Sequence, residues 1–233
     1  VPVYFENHDL PRCTNYFFPQ GTDIKLAAKF IATILLTMRG TPFIYEGQEL
    51  GMTNIKWPSI KMYNDISSIG QYELALKDKL TPKEAMKGVW KYSRDNARSP
   101  MTWNSGSKAG FTTGRPWLPL NDEYPKLNVE TETEDENSVL NYYKNLIKLR
   151  KQYPALIEGD YEELLSYSPG IYAYARTTKD KSERIIVIAN TTAKIRGYKI
   201  PELKGATLLA STYGNREATL LRSYEVRVYK VKK

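Results

Sequence analysis

The stretch TDIKLAAKFIATILLTMRGTPFIYEGQELG, residues 22–51, decides how we expect this chain to fold. Its first half repeats apolar residues at helical spacing, which predicts an amphipathic helix over 22–39. Thr22 or Asp23 is the expected N-cap, and Gly40 stands just past the predicted end of the helix. The apolar run that follows the glycine predicts a short strand.

A second predicted strand precedes this helix. The segment VPVYFE, residues 1–6, alternates apolar side chains and predicts a buried strand that ends near Asn7. Strand, helix and strand at this spacing form a βαβ unit, whose parallel strands are joined by a right-handed crossover. Two parallel strands do not make a stable sheet by themselves. We therefore expect the α/β part to be incomplete, the chain to be a portion of a longer protein, and its exposed edges to favour self-association.

The remaining residues predict a long excursion, a helix and an all-β region. Residues 52–130 are rich in Pro, Gly, Asn, Trp and Ser, and one helix is predicted among them, over 81–96. A stronger helical pattern covers 137–154, with Pro154 as the expected stop. Short alternating runs then predict a small antiparallel β-sandwich. The predicted domains are an α/β domain, 1–157, and a β-sandwich domain, 158–233.

Composition and charge limit the classes of protein to which this chain can belong. With 233 residues, 41% hydrophobic and 26% charged, it is long enough for one large or two small globular domains. No apolar stretch is long enough for a membrane span and the start does not resemble a signal peptide, so we expect no membrane partner. The net charge of +8 comes from scattered Lys and Arg and is interrupted by an acidic run at 130–136. Nucleic-acid binding is therefore a distant alternative.

The chain contains one cysteine, Cys13, and one histidine, His8. A single cysteine cannot form an internal disulfide and is typical of a reducing compartment, so we expect a cytoplasmic location. One cysteine and one histidine cannot build a Cys/His metal site. We expect this chain to bind no metal and no cofactor.

Polar residues follow both predicted strands, at the ends where parallel α/β folds carry their functional groups. His8 and Asp9 follow the first strand, and a third polar cluster, SRDNARSPMTW, lies in the excursion at 93–103. Carboxylates, guanidinium groups and an imidazole near Tyr and Trp side chains match the requirements of sugar recognition. The polar residues at the end of the second strand are Glu46, Gln48 and Glu49.

The same side chains also allow a purely structural interpretation. Glu46 and Glu49 can act as hydrogen-bonding groups within the fold, and Arg94 or Arg98 can pair with Asp95 inside its own loop. The residue pattern alone leaves both interpretations open.

Four motifs follow one another along the chain: ENHDLPR (6–12), GTPFIYEGQELGMTN (40–54), SRDNARSPMTW (93–103) and AGFTTGRPWLPLN (109–121). Together they resemble the α-glucosidases of the α-amylase superfamily, glycoside hydrolase family 13. Within that superfamily the likeness is to the oligo-1,6-glucosidase, dextran glucosidase and trehalose-6-phosphate hydrolase group.

This resemblance implies a fold and three residue roles. Residues 1–6 and 42–46 would be the seventh and eighth strands of a (β/α)8 TIM barrel, of which the chain holds only the C-terminal part. His8 resembles the histidine that binds hydroxyls of the glucose in the cleavage subsite. Asp9 resembles the carboxylate that binds two adjacent hydroxyls and stabilises the oxocarbenium-like transition state. Arg94 resembles the arginine that holds the far hydroxyl of the same glucose.

A retaining glycosidase also needs a carboxylate nucleophile and a general acid, about 5–5.5 Å apart. By the resemblance both lie upstream of Val1, as does any calcium site, while Glu49 is expected to support the end of the barrel. We predict that the gene product is a retaining α-glucosidase that hydrolyses terminal α-linked glucose from short α-glucosides, and that this chain alone is inactive. The alternative is a non-catalytic module that binds carbohydrate or complements a separate N-terminal half. Linkage preference and substrate phosphorylation stay open.

Overall fold

The structure is a computed structural model that describes residues 1–214 and 220–232. Backbone proximity divides the chain into two compact units, each assembled from segments that are far apart in the sequence. The sheet unit contains Val1–Val3, Lys29–Phe43 and Tyr142–Lys233, and the helical unit contains Tyr4–Ala28 and Ile44–Asn141.

Most helices lie in the first two thirds of the chain and most strands in the last third. The helices are α1 (Cys13–Phe17), α2 (Ile24–Thr37), α3 (Ile66–Lys77), α4 (Pro82–Tyr92), α5 (Asp95–Arg98), α6 (Val129–Glu134), α7 (Val139–Gln152) and α8 (Pro154–Glu158). The strands are β1 (Pro2–Val3), β2 (Thr41–Pro42), β3 (Asp160–Leu164), β4 (Ile171–Thr177), β5 (Arg184–Asn190), β6 (Arg196–Gly197), β7 (Thr207–Ser211), β8 (Leu220–Leu221) and β9 (Val226–Lys230).

The strands β1 and β2 form a parallel pair. Pro2 lies opposite Thr41 and Val3 lies opposite Pro42, and α2 connects the two strands in the sequence. This pairing confirms the predicted strand, helix and parallel strand.

Both strands are shorter and more exposed than the sequence predicts. Strands were expected over 1–6 and 42–46, but each contains two residues, and the flanking side chains of Val1 and Phe43 are exposed. In the part of the chain that the structure describes, β1 and β2 pair only with each other. Neither strand therefore has a second neighbour that would extend its hydrogen-bonded ladder or cover its side chains. The expectation of a buried first strand is wrong.

The helix α2 has one of its two predicted N-caps and ends at Thr37, two residues before the predicted end at Arg39. Asp23 is the N-cap, because its carboxylate accepts a hydrogen bond from the backbone N–H of Leu26 at 2.9 Å. Ile31 and Leu35 lie on its buried face. Beyond the helix Gly40 has a φ of +129°, and a Cβ atom there would lie 2.5 Å from the carbonyl oxygen of Val1. Only glycine fits this turn without displacing β1.

Two arginines of the sheet unit bind carbonyl groups at the C-terminal end of α2. Arg150 donates to the carbonyl oxygens of Leu36 at 2.8 Å and Gly40 at 2.7 Å, and the buried Arg176 donates to that of Thr37 at 2.8 Å. The last carbonyls of a helix lack partners within the helix and carry partial negative charge, so cations placed there are stabilising.

The region after residue 158 is antiparallel, as predicted. Five strands form one sheet in the order β3-β4-β5-β9-β7, and β6 pairs with β8. The central strand β5 is buried at Ile186 and Ile188, which pack with Leu221 and Tyr229 in one apolar cluster. The short strand β8 was not predicted.

The helical unit contains more helices than expected. The predicted helix over 81–96 is α4, which ends at Tyr92, and a separate short helix, α5, follows it. The prediction of a single helix in this region is wrong, because α3 and α6 are also present. The helix predicted over 137–154 is α7, and Pro154 is the first residue of α8.

Candidate active site

A buried ion pair anchors the segment that carries His8 and Asp9. Arg12 Nη1 lies 3.0 Å from Glu6 Oε2, and each side chain is 1% exposed. The other oxygen of Glu6 accepts a hydrogen bond from the backbone N–H of Cys13 at 2.8 Å. Because Glu6 and Arg12 stand on either side of His8 and Asp9 in the sequence, their pairing closes the intervening residues into a short loop.

The side chains of His8, Arg94 and Arg98 meet at the carboxylate of Asp9. Asp9 Oδ1 lies 3.0 Å from Arg98 Nη2 and 3.4 Å from Arg94 Nη1, and Asp9 Oδ2 lies 3.1 Å from His8 Nε2. The Asp9 side chain is 51% exposed, so its carboxylate can be reached from solvent. Its backbone is held by the Asn7 side chain, which accepts a hydrogen bond from the Asp9 N–H at 2.8 Å. The structure thus brings together all three residues that the sequence singled out.

A second aspartate, Asp65, holds Arg94. The Nε and Nη2 groups of Arg94 donate to Asp65 Oδ1 at 2.8 and 2.6 Å, and the Asp65 side chain is 2% exposed. Burial by itself raises the pKa of Asp65, but hydrogen bonds from Arg94 and Ser68 outweigh it and lower that pKa to about 2. Asp65 is therefore an ionised partner for the guanidinium at neutral pH.

The aspartate next to Arg94 has a different role. Asp95 Oδ2 accepts hydrogen bonds from the backbone N–H groups of Asn64 at 2.6 Å and Asp65 at 2.9 Å. Arg94 and Arg98 instead pair with Asp65 and Asp9. The interpretation in which either arginine pairs with Asp95 is therefore wrong, because that carboxylate is directed at backbone donors.

Two of the three polar residues after β2, Glu46 and Gln48, make hydrogen bonds within the helical unit. The side chain of Glu46 is exposed, and its carbonyl oxygen accepts a hydrogen bond from Arg12 Nη1 at 2.7 Å. Gln48 is buried, and its side-chain oxygen accepts from the Tyr45 N–H at 3.4 Å. Burial raises the pKa of Glu49. The assignment of Glu49 as a supporting residue stays a prediction.

Within residues 1–214 and 220–232, no group of three or more His, Cys, Asp or Glu side chains is arranged to hold a metal ion. Within the same residues no helix is long and apolar enough to cross a membrane.

Two residues of this cluster were not assigned from the sequence. Asp65 lies 29 positions before Arg94. The sequence around Asp65 indicates only a helix N-cap, and Asp65 is indeed the N-cap of α3. Arg98 was considered only as a partner of Asp95. A carboxylate placed between two arginines depends on tertiary contacts, so no local pattern indicates it.

Comparison with known proteins gives consistent matches. A family model described as "Alpha amylase, catalytic domain" matches residues 1–159. An oligo-1,6-glucosidase from Parageobacillus thermoglucosidasius is 41% identical over 99% of this chain and 42% of its own length. A trehalose-6-phosphate hydrolase from Bacillus subtilis is 34% identical over 99% of this chain and 42% of its own length. The chain therefore spans about two fifths of the length of these relatives.

Solved structures match over the same extent. The trehalose-6-phosphate hydrolase TreA from Bacillus licheniformis superimposes with a TM-score of 0.91 at 34% identity, covering 100% of this chain and 43% of TreA. A variant of the trehalulose synthase MutB in complex with sucrose gives a TM-score of 0.87 at 35% identity, covering 99% of this chain and 43% of MutB.

Proposed function

The chain belongs to the α-amylase family through its catalytic-domain match, and from this membership we propose that it supplies the sugar-binding residues of a retaining α-glucosidase. The substrate class is terminal α-linked glucose in short α-glucosides. One observation carries the proposal: a reachable carboxylate, Asp9, lies between His8 and two arginines. The matched relatives include proteins named oligo-1,6-glucosidase and trehalose-6-phosphate hydrolase, which supports the choice of substrate class.

Each side chain has a role that its chemistry supports. Asp9 accepts hydrogen bonds from two adjacent sugar hydroxyls and stabilises the positive charge that develops on the ring in the transition state. Arg94 donates to a hydroxyl at the far side of the glucose, since one N–H on each of Nη1 and Nη2 has no acceptor among the described residues. His8 adds a further contact to a hydroxyl beside Asp9.

Hydrolysis with retention needs two more carboxyl groups, the nucleophile and the general acid. We place both on residues outside this chain, because the chain matches only 42% of the length of its relatives. In this proposal β1 and β2 belong to the seventh and eighth strands of a (β/α)8 barrel. Residues 158–233 form the β-sandwich domain that follows a barrel part at 1–157, and the chain alone does not turn over substrate.

The proposal is tested by the release of p-nitrophenol from p-nitrophenyl α-glucoside. The complete protein that contains this chain should turn over substrate, and Asp9→Asn should lower kcat/KM by about 10²–10³-fold, since a charge-stabilising group is lost. Asp122→Asn is the matched control, because Asp122 is exposed in the same unit, and it should retain full activity.

Three results would lead to other conclusions. An Asp9→Asn protein within threefold of wild type would remove Asp9 from the mechanism. Turnover by the isolated chain that depends on Asp9 would contradict the placement of the nucleophile and acid. A complete protein that binds glucosides without cleaving them would favour the alternative, a carbohydrate-binding or complementing module.

Two further properties remain proposals. The isolated chain should self-associate, and the exposed Val1 and Phe43 beside the two-stranded pair support this; a strictly monomeric chain in sedimentation velocity would contradict it. The cytoplasmic location rests on the single Cys13 and is tested by fractionating the source cells.

A further inference from the structure

Arg98 contacts both the backbone and the side chain of the motif that carries the transition-state carboxylate. Its Nε donates to the carbonyl oxygen of His8 at 2.9 Å, and its Nη2 donates to Asp9 Oδ1 at 3.0 Å. We propose that Arg98 is a positioning residue, which fixes the Asp9 carboxylate in the orientation needed for the transition state. This inference rests on the proposed function of Asp9.

Two contacts from one rigid group restrict Asp9 more than two separate contacts would. The guanidinium is planar and its N–H groups form a fixed fork, so the distance between the His8 carbonyl and the Asp9 carboxylate is set by the arginine itself. The Asp9 side chain is about half exposed, and few packing contacts are available to hold its rotamer. Arg98 is 21% exposed and is the more buried member of the pair.

The backbone that carries Arg98 is itself fixed. The carbonyl oxygen of Ala97 accepts hydrogen bonds from Tyr45 Oη at 3.2 Å and from Arg12 Nη2 at 3.5 Å. The buried Asn96 side chain accepts from the Ile55 N–H at 3.0 Å. Arg98 therefore connects Asp9 to a buried and hydrogen-bonded part of the unit.

Arg94 and Arg98 consequently have different tasks. Arg94 is anchored by Asp65, and its side chain is 37% exposed, so it can reach a ligand. Arg98 is 21% exposed, and both of its contacts hold the segment that carries Asp9. Loss of Arg94 should raise KM, because a contact to the bound sugar is removed. Loss of Arg98 should lower kcat with little effect on KM, because the carboxylate that acts in the transition state is misplaced.

The test compares Arg98→Ala and Arg98→Lys with Arg115→Ala, an exposed arginine of the same unit, in the complete protein that contains this chain. Arg98→Ala should lower kcat about 10–100-fold, as expected for a misplaced group, with KM within threefold of wild type. Ethylguanidinium should restore more of kcat than ethylamine does, and Arg98→Lys should retain an intermediate kcat. Arg115→Ala should match wild type.

Amide hydrogen exchange provides a readout that does not depend on catalysis. In Arg98→Ala, exchange of peptides covering residues 4–12 should accelerate at least about tenfold, because the contact to the His8 carbonyl is lost. Unchanged exchange in this segment would overturn the proposal, and so would a kcat within twofold of wild type in an active enzyme. Loss of activity together with a lower Tm and without rescue by ethylguanidinium would also overturn it, since that indicates a structural role only. If the wild-type protein does not cleave glucosides, the proposed function fails, and the exchange result alone decides whether Arg98 positions the segment.

Discussion

Replacing Glu6 by glutamine should destabilise the helical unit strongly. Glu6 and Arg12 are each 1% exposed and form a 3.0 Å ion pair, and Glu6→Gln leaves the Arg12 guanidinium charged without a carboxylate. Removing one partner of a buried pair costs about 3–5 kcal/mol, because the remaining charge stays desolvated. The carbonyl of Glu46, which accepts from Arg12 Nη1, remains and should keep the loss near the lower end of that range.

The loss is measured as the change in the free energy of unfolding in urea. All four tryptophans, at positions 57, 90, 103 and 117, lie in the helical unit, so tryptophan fluorescence reports on the unit that contains the pair. The double variant Glu6→Gln/Arg12→Met removes the unpaired charge. It should be less destabilised than the sum of the two single variants, since neighbouring mutations are not additive.

Lys25→Met supplies the matched control. Lys25 Nζ lies 2.8 Å from Asp135 Oδ2 in the same unit, but the two side chains are 44% and 46% exposed. An exposed pair of this kind contributes about 0–1 kcal/mol. If Glu6→Gln costs less than about 1 kcal/mol, or no more than Lys25→Met, then the assignment of the Glu6–Arg12 pair as the anchor of the candidate site is refuted.

Two further predictions concern pH and backbone conformation. The pKa of Asp65 is lowered to about 2, mainly by Arg94 acting against burial, so Asp65 stabilises the fold above its unfolded pKa near 4 and loses this effect as the pH falls towards 2. Between pH 5 and 2 the wild-type free energy of unfolding should fall by about 2 kcal/mol more than that of Asp65→Asn; parallel acid profiles would contradict the assignment. Gly47→Ala should destabilise by about 1–3 kcal/mol, because Gly47 has a φ of +82° and an added Cβ would collide with Met52 Sδ. Gly70→Ala in α3 meets open space and should stabilise by about 0.5–1 kcal/mol; equal effects in the two glycine variants would show that local backbone geometry does not decide the outcome.

The parts of the fold that could be predicted are those with a strong local pattern. The apolar spacing and the Asp23 cap predicted α2, and alternating runs predicted β4 and β5. The helix α3 was missed, since Ser68 is its only buried residue among those described, so its sequence shows little apolar periodicity. The lengths of β1 and β2 were overestimated, because a β-forming composition does not show how many backbone partners a strand finds.

Some residues of the candidate site could likewise be predicted from local motifs, and others could not. His8, Asp9 and Arg94 were found through motifs, and in the structure the side chains of His8 and Arg94 both contact the carboxylate of Asp9. Asp65 and Arg98 could not be assigned, because their partners lie 29 and 89 positions away in the sequence. Motifs indicate which side chains matter, but the ion pairs that orient them appear only once the chain has folded.

The division of the chain between the two units has a consequence for folding during synthesis. All segments of the helical unit have been synthesised once Asn141 has been added, whereas the sheet unit waits for residues from Tyr142 onwards. The C-terminal end of α2 is bound by Arg150, which is 114 positions after Leu36. At about 5–20 residues per second this delay lasts about 6–23 s. For that time the C-terminal end of α2 lacks the arginine that binds its carbonyl groups, and we expect its apolar face to be open to chaperones that bind exposed apolar helices.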